Sequence, residues 1–484
     1  MDRGCFRLDL FIVFDRFRVL MKVWCYELRK GLLGMLLGIA GITMGQAETS
    51  LDRYVKEPDP EFHYELVKTI KGRGFTQYVI EMTSQRWLTP QEVDRTVWQH
   101  WVVIVKPDRV KHTTGMLVIG GGSNGGTPPE EVDPRWAGIA VETQSVVTSL
   151  SMVPNQPLRF VGDDRDRVED ALIAYGWDKH LRGGRDEWLA RFPMTKSAVR
   201  AMDTITAFMA KPDSGSIEVE RFVVAGGSKR GWTTWTTGAV DSRVEAMIPI
   251  VIDMLNVVPS FEHHYRVYGF FAEAVGDYEG MGVMDWQRRP EYQRLIKLTE
   301  PYEYRDRFTM PKYLINATGD QFFVPDSGQF YWDDLRGEKH VRYVPNAGHS
   351  LDGTDVVESI VAYYHAILNK KARPRFDWEI SDENGITVSV EDAPSAVTMW
   401  SATNPKVRDF RIDQLGPEWK ATPLKPGKDG RYRAAPKKPQ EGYTAFMVEL
   451  TYPGFSRYPM KFTTQVKVIP DVYPFPPYQP KPID

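Results

Sequence analysis

The chain has 484 residues, 42% of them hydrophobic and 26% charged. That composition can bury a large core, and the length suits more than one domain, so a disordered chain is excluded. The formal charge of −3 leaves no basic footprint for nucleic acid, and no nucleic-acid partner is expected.

The first feature in chain order is a processing segment. Arg29 and Lys30 precede the apolar run GLLGMLLGIAGITMG (31–45), which ends in small residues at Gly45 and Ala47. This is the pattern of a secretory signal cleaved after Ala47, and it predicts a periplasmic or secreted protein that starts near Glu48. A membrane anchor would need about 20 apolar residues, more than the run supplies, so no stable membrane span is expected after processing. Residues 1–20 mix charges with aromatics ahead of a second methionine, Met21, which is an alternative start. The leader, residues 1–47, holds seven Lys or Arg and four Asp or Glu, so the mature chain carries about −6. Both cysteines, Cys5 and Cys25, leave with it. The exported chain is then expected to have no thiol, disulfide or cysteine metal site.

Strand-like runs follow at FTQYVIEM (75–82), WVVIVKP (101–107), GMLVIGGG (115–122) and SVVTSLSMV (145–153). Helical periodicity appears in DRVEDALIAYGWDKHL (166–181) and MTKSAVRAMDTITAFMA (194–210). The apolar strands RFVVAG (221–226), AMIPIVID (246–253), KYLINAT (312–318) and HVRYVP (340–345) come next, then the helix VVESIVAYYHAIL (356–368). Short apolar strands alternating with amphipathic helices predict an α/β class, a mostly parallel sheet covered on both faces. From about Arg373 the pattern changes to the alternating runs ITVSVE (386–391), AVTMWSA (396–402), YTAFMVELTY (443–452) and KFTTQVKVI (461–469), which suit a small β-sandwich. The expected organisation is an α/β domain over 48–372, with a cap insertion at 254–310, and a β-sandwich-like domain over 373–484. The proline-rich tail YPFPPYQPKP (473–482) is expected to run extended along the surface.

Chemistry enters at RFVVAGGSKRGWTTW (221–235). A serine at a sharp strand-to-helix turn has its Oγ lifted above the sheet, and the glycines around it avoid clashes with neighbouring backbone. This is a nucleophile elbow at Ser228, although Gly231 stands one residue later than in the usual G-x-S-x-G. A serine needs an imidazole to take its proton, and the imidazole needs a carboxylate to fix its tautomer. In α/β-hydrolases these follow in the order Ser, Asp or Glu, His. Asp320 in ATGDQFFVP and His349 in PNAGHS stand past successive strands in that order, and the chain has nine histidines to draw on. Asp253, in PIVIDMLN, also closes an apolar strand and is the rival acid. The oxyanion would be held by the backbone N–H of Lys229 and by an amide of the glycine-rich loop GGGSNGG, with Gly122 and Ser123 the expected donors. No Gly-Lys-Ser/Thr follows that loop, which sets a P-loop aside. The Lys229 ammonium either faces the oxyanion or is solvated at the helix start.

The strings GGSKRGWTTW, VPNQPLRF (153–160), ATGDQFFVPDS, PNAGHS and TMWSATNPKVRDFR (398–411) resemble the PhoPQ-activated pathogenicity-related proteins across nearly the whole mature chain. The resemblance implies an exported protein of α/β-hydrolase fold with a triad at Ser228, Asp320 and His349. Relatives in eukaryotes resemble secreted repressors of cell proliferation. The sequence reading is therefore a serine hydrolase, esterase or peptidase, acting on a small-molecule, glycan or peptide substrate without a cofactor. The alternative is an idle hydrolase scaffold with a binding or signalling role. His263 and His264 are expected to pack and not to bind metal, since no third ligand is visible. Trp232 and Trp235 are expected to pack the elbow helix onto the core.

Overall fold

The computed structural model describes residues 48–382 and 385–483, and the expected leader with Cys5 and Cys25 lies outside them. Ser50–Asp484 groups as one compact unit. Its central strands are β1 (His63–Gly72), β2 (Phe75–Arg86), β3 (Val97–Pro107), β4 (Thr114–Ile119), β5 (Val147–Leu150), β6 (Arg221–Gly227), β7 (Val244–Ile250), β8 (Lys312–Ala317) and β9 (Lys339–Val344). They lie in the order β1-β2-β3-β5-β4-β6-β7-β8-β9. From β5 to β9 every pairing is parallel, while β3 runs antiparallel to both its neighbours. From β2 onward, the exchanged β4 and β5 together with the single reversed strand define the α/β-hydrolase fold, as the sequence predicts.

The two-residue period of a strand explains both layers. In β6, Phe222 and Val224 enter one buried cluster with the helices Glu169–Leu181, Arg191–Met209 and Lys229–Val240. The intervening Val223 and Ala225 enter a second cluster with the helices Pro134–Thr143 and Val356–Leu368. A strand buried on both faces is apolar throughout, and that is why these segments are legible as parallel strands. β1 escapes the same reading because it is largely exposed and carries no continuous apolar run. The helix Pro134–Thr143 is also missing from the expected elements, although Asp133 caps it and proline opens it.

The C-terminal β region is present as β10 (Phe376–Ser381), β11 (Gly385–Val390), β12 (Ala396–Asn404), β13 (Lys420–Pro423), β14 (Tyr432–Ala434), β15 (Tyr443–Tyr452), β16 (Met460–Thr463) and β17 (Lys467–Ile469). Strands β10, β11 and β14 form a separate sheet, while β16 extends the central sheet through Thr463 against Val341 of β9. The expected strand 461–469 is thus divided, with both pieces paired to β15. No helix among the described residues is long and apolar enough to cross a membrane.

Candidate active site

The β6-to-helix turn puts Ser228 at φ 57° and ψ −122°, a conformation that L side chains rarely adopt. The glycines around it have unequal jobs. A Cβ on Gly226 would stand 2.6 Å from the carbonyl oxygen of Arg230, and one on Gly231 would stand 2.9 Å from that of Ile250. The later glycine is therefore required by the approach of β7. At Gly227 the nearest atom to an added Cβ is 4.0 Å away. Gly226→Ala should accordingly cost about 1–3 kcal/mol, by overpacking against backbone that cannot yield. Gly227→Ala should leave the unfolding free energy in urea within about 0.5 kcal/mol of wild type. Equal free energies for the two variants would show that the turn is not held by this contact.

Asp320 follows β8 and His349 follows β9. The structure brings them together, with His349 Nδ1 2.8 Å from Asp320 Oδ2 and 3.0 Å from Oδ1. Asp320 is buried, and its own turn fixes it, because Phe322 N donates to Oδ1 at 2.7 Å. The imidazole is fixed from its main chain, where His349 N donates to Gln321 Oε1 at 2.9 Å. Its ring lies 4.2 Å from that of Phe322, which lines one pocket with Ser228. An Nδ1–H directed at the carboxylate leaves Nε2 free to take a proton.

Asp253 is placed differently. It is fully buried beyond β7 and pairs with the hydroxyl of Tyr331. Burial pushes its pKa up to about 7, against the hydrogen bond from Tyr331, which lowers it.

In the glycine-rich loop, Met152 N donates to Gly121 O at 2.8 Å and Val153 N to Gly120 O at 3.1 Å. Gly121 lies against the guanidinium of Arg230, where a Cβ would meet Nη2 at 2.4 Å. Gly122 and Ser123 are exposed, and Gly122 has φ 124°. Arg230 Nη1 binds Glu169 Oε2 at 2.7 Å and Nη2 binds Oε1 at 2.5 Å. Burial raises the pKa of Glu169, but Arg230 and Lys229 overcome it and hold the carboxyl at about 2. Lys229 is buried and not solvated, with its Nζ 2.6 Å from Asp170 Oδ2. Asp170 is thus the partner of its ammonium.

A pocket forms at Ser228. Its floor carries Ser228, Lys229, Asp170 and Arg191, and its walls are apolar, including Trp177, Trp232, Phe261, Met284 and Phe323. Phe261, Val275, Tyr278, Val283, Met284 and Tyr292 come from the segment expected as a cap. Trp232 and Trp235 are buried against the core, and Trp232 Nε1 donates to Thr299 O at 2.7 Å. His263 Nε2 lies 2.9 Å from Asp326 Oδ1, and Ala272 N donates to His264 Nε2 at 2.9 Å. Sequence reasoning missed Glu169, Asp170, Arg191 and Tyr278. The charges at 169 and 170 read as an ordinary acidic first turn, and Arg191 precedes the helix start expected at 194, whereas that helix begins at Arg191 itself.

Three comparisons extend these observations. The chain is 37% identical over 471 residues to autocrine proliferation repressor protein A of Dictyostelium discoideum, covering 91% of this chain and 94% of that one. Among solved structures it is similar to the acetyl xylan esterase from Paenibacillus sp. R4, with 13% identity, 67% of this chain and 96% of that one, and a TM-score of 0.46. A second is acetyl xylan esterase 1 from Thermoanaerobacterium sp., with 15% identity, 66% and 92% coverage, and a TM-score of 0.43. The model of the PhoPQ-activated pathogenicity-related protein family matches residues 51–411, and the chain belongs to that family.

Proposed function

We propose that the protein is an exported serine hydrolase that cleaves an ester or amide bond through an acyl-enzyme. Ser228 Oγ attacks the acyl carbon while His349 Nε2 takes its proton. The oxyanion accepts from the N–H of Lys229 and from an amide at Gly122 or Ser123, where the helix start favours negative charge. His349 then returns the proton to the departing alcohol or amine, and water releases the acyl group by the same steps. The observation that carries the reading is the contact of His349 Nδ1 with both oxygens of Asp320. In this reading residues 48–372 form the catalytic domain, 254–310 its cap, and 373–484 a β-sandwich-like domain. A signal cleaved after Ala47 would release the chain, with N-terminal sequencing of the exported protein as the check.

A second reading, a binding or signalling protein on an idle scaffold, draws support from the Dictyostelium relative's name as a proliferation repressor. A fluorophosphonate probe separates the two. Covalent labelling of the folded protein, lost in Ser228→Ala, is expected. Folded protein that stays unlabelled would leave the scaffold reading in possession of the site.

A further inference from the structure

The charges on the pocket floor do not balance. Arg191 and Lys229 line it with one carboxylate, Asp170. Both oxygens of Asp170 are taken, Oδ2 by Lys229 Nζ at 2.6 Å and Oδ1 by the Tyr278 hydroxyl at 3.0 Å. Glu169 lies 3.3 Å from Lys229 Nζ but is already gripped by both arms of Arg230. Counting that outer pair, three cations face two carboxylates, leaving one positive charge. The next carboxylate outward, Asp277, is exposed to water.

The surplus resides on Arg191, which is 3% exposed. Its Nη1 donates to Lys229 O at 3.0 Å, and its guanidinium carbon sits 4.4 Å from the Trp232 ring centroid. Its Nε is buried with no hydrogen-bond partner. Burial depresses its pKa, against the neighbouring Tyr278 and Asp170, which favour the charged form. A buried donor left unmade is costly, and a guanidinium presents its donors in a fork that matches a carboxylate.

We propose that Arg191 forms an anion subsite beside Ser228, so that the preferred substrate is an ester or amide carrying a carboxylate on an otherwise apolar body. The inference rests on the serine-hydrolase reading. The apolar lining takes the apolar part, and the carboxylate pairs with the Arg191 guanidinium and neutralises the surplus charge. Lys229, held by Asp170, sets the local field without having to move.

The test uses the full-length mature protein and two isosteric pairs of aryl esters, the first of them 4-methylumbelliferyl esters. One pair carries the charge on the acyl side, glutarate against its neutral monoamide. A second carries it on the leaving group, the acetate of 4-hydroxybenzoate against that of 4-hydroxybenzamide, followed by absorbance. In one of the two pairs the charged member should have a kcat/KM at least about tenfold higher, the scale of one charged hydrogen bond. The ratio should collapse toward one in Arg191→Met and survive in part in Arg191→Lys. Free glutarate, but not glutaramide, should slow fluorophosphonate labelling of the wild type, a readout that needs neither hydrolysis nor a variant. Labelling at Ser228 that glutarate does not slow, with the neutral ester of each pair hydrolysed as fast as the charged one, would overturn the subsite and leave the hydrolase standing. Absence of both labelling and hydrolysis would overturn the hydrolase and the subsite with it.

Discussion

Asp320→Asn should lower kcat by up to about 10⁴-fold, the scale of losing the carboxylate that fixes the histidine tautomer in a serine protease. Asp253→Asn should stay near wild type. The difference comes from what each carboxyl touches: Asp320 holds His349 Nδ1, whereas Asp253 meets the Tyr331 hydroxyl. Stability should respond in the opposite sense. Burial raises the folded pKa of Asp253 to about 7, so the folded chain keeps its proton where the unfolded chain, near 3.9, has lost it. Wild-type stability from this group is then present at low pH, declines between about pH 4 and 7, and is flat above. Asp253→Asn removes that decline, and its stability relative to wild type should rise by up to about 1.4 kcal/mol per pH unit across the window. Denaturant unfolding at pH 5 and pH 8, with both variants checked for folding, measures it. A large kcat loss in Asp253→Asn, with Asp320→Asn near wild type, would reverse the two roles.

The contrast between these carboxyls marks where sequence reading reaches its limit. Both close an apolar strand, so local pattern leaves them as rivals, and only the packing of β7, β8 and β9 tells them apart. The strands themselves were legible because burial on both faces makes them apolar throughout, and Tyr443–Tyr452 and Val356–Leu368 appear with the expected bounds. The elbow was legible for a related reason: Gly226 and Gly231 face backbone, and no other residue fits. The pocket floor was not. Asp170, Lys229, Arg191 and Tyr278 come from four separate segments, and each alone resembles an ordinary surface charge or aromatic. Their meaning is a sum of charges in a desolvated space, and a linear pattern does not carry it.

Arg408→Met should destabilise the fold by about 3–5 kcal/mol, because it leaves a buried carboxylate without its cation. Arg408 is 1% exposed, and its Nη2 donates to Asp326 Oδ2 at 2.7 Å while Nη1 donates to Val472 O at 3.0 Å. Asp326 Oδ1 faces His263 Nε2 on the helix Val257–Tyr268, and His263 Nδ1 faces the Tyr473 hydroxyl at 3.0 Å. One buried pair thus ties together the turn after Asp320, that helix and the tail. Burial works against the charged form of Asp326, yet His263 and Arg408 hold its pKa well below the usual carboxylate range. The sign follows: this contribution is complete above about pH 4 and is lost as acid protonates Asp326. In Arg408→Met the acid-dependent loss should shrink. Adding Asp326→Asn should restore about 1–3 kcal/mol, since the stranded charge is then gone. The same segment also steadies the chemistry. Ile412 N donates to Gly319 O at 2.9 Å, and the Ile412 side chain fills the space where a Cβ on Gly319 or Gly348 would stand. Those glycines directly precede Asp320 and His349, and Ile412 directly follows the string TMWSATNPKVRDFR, so that segment packs against both turns. If urea unfolding of Arg408→Met shows a loss below about 1 kcal/mol, or the double variant is no more stable than the single, Arg408 is not the cation that keeps Asp326 buried.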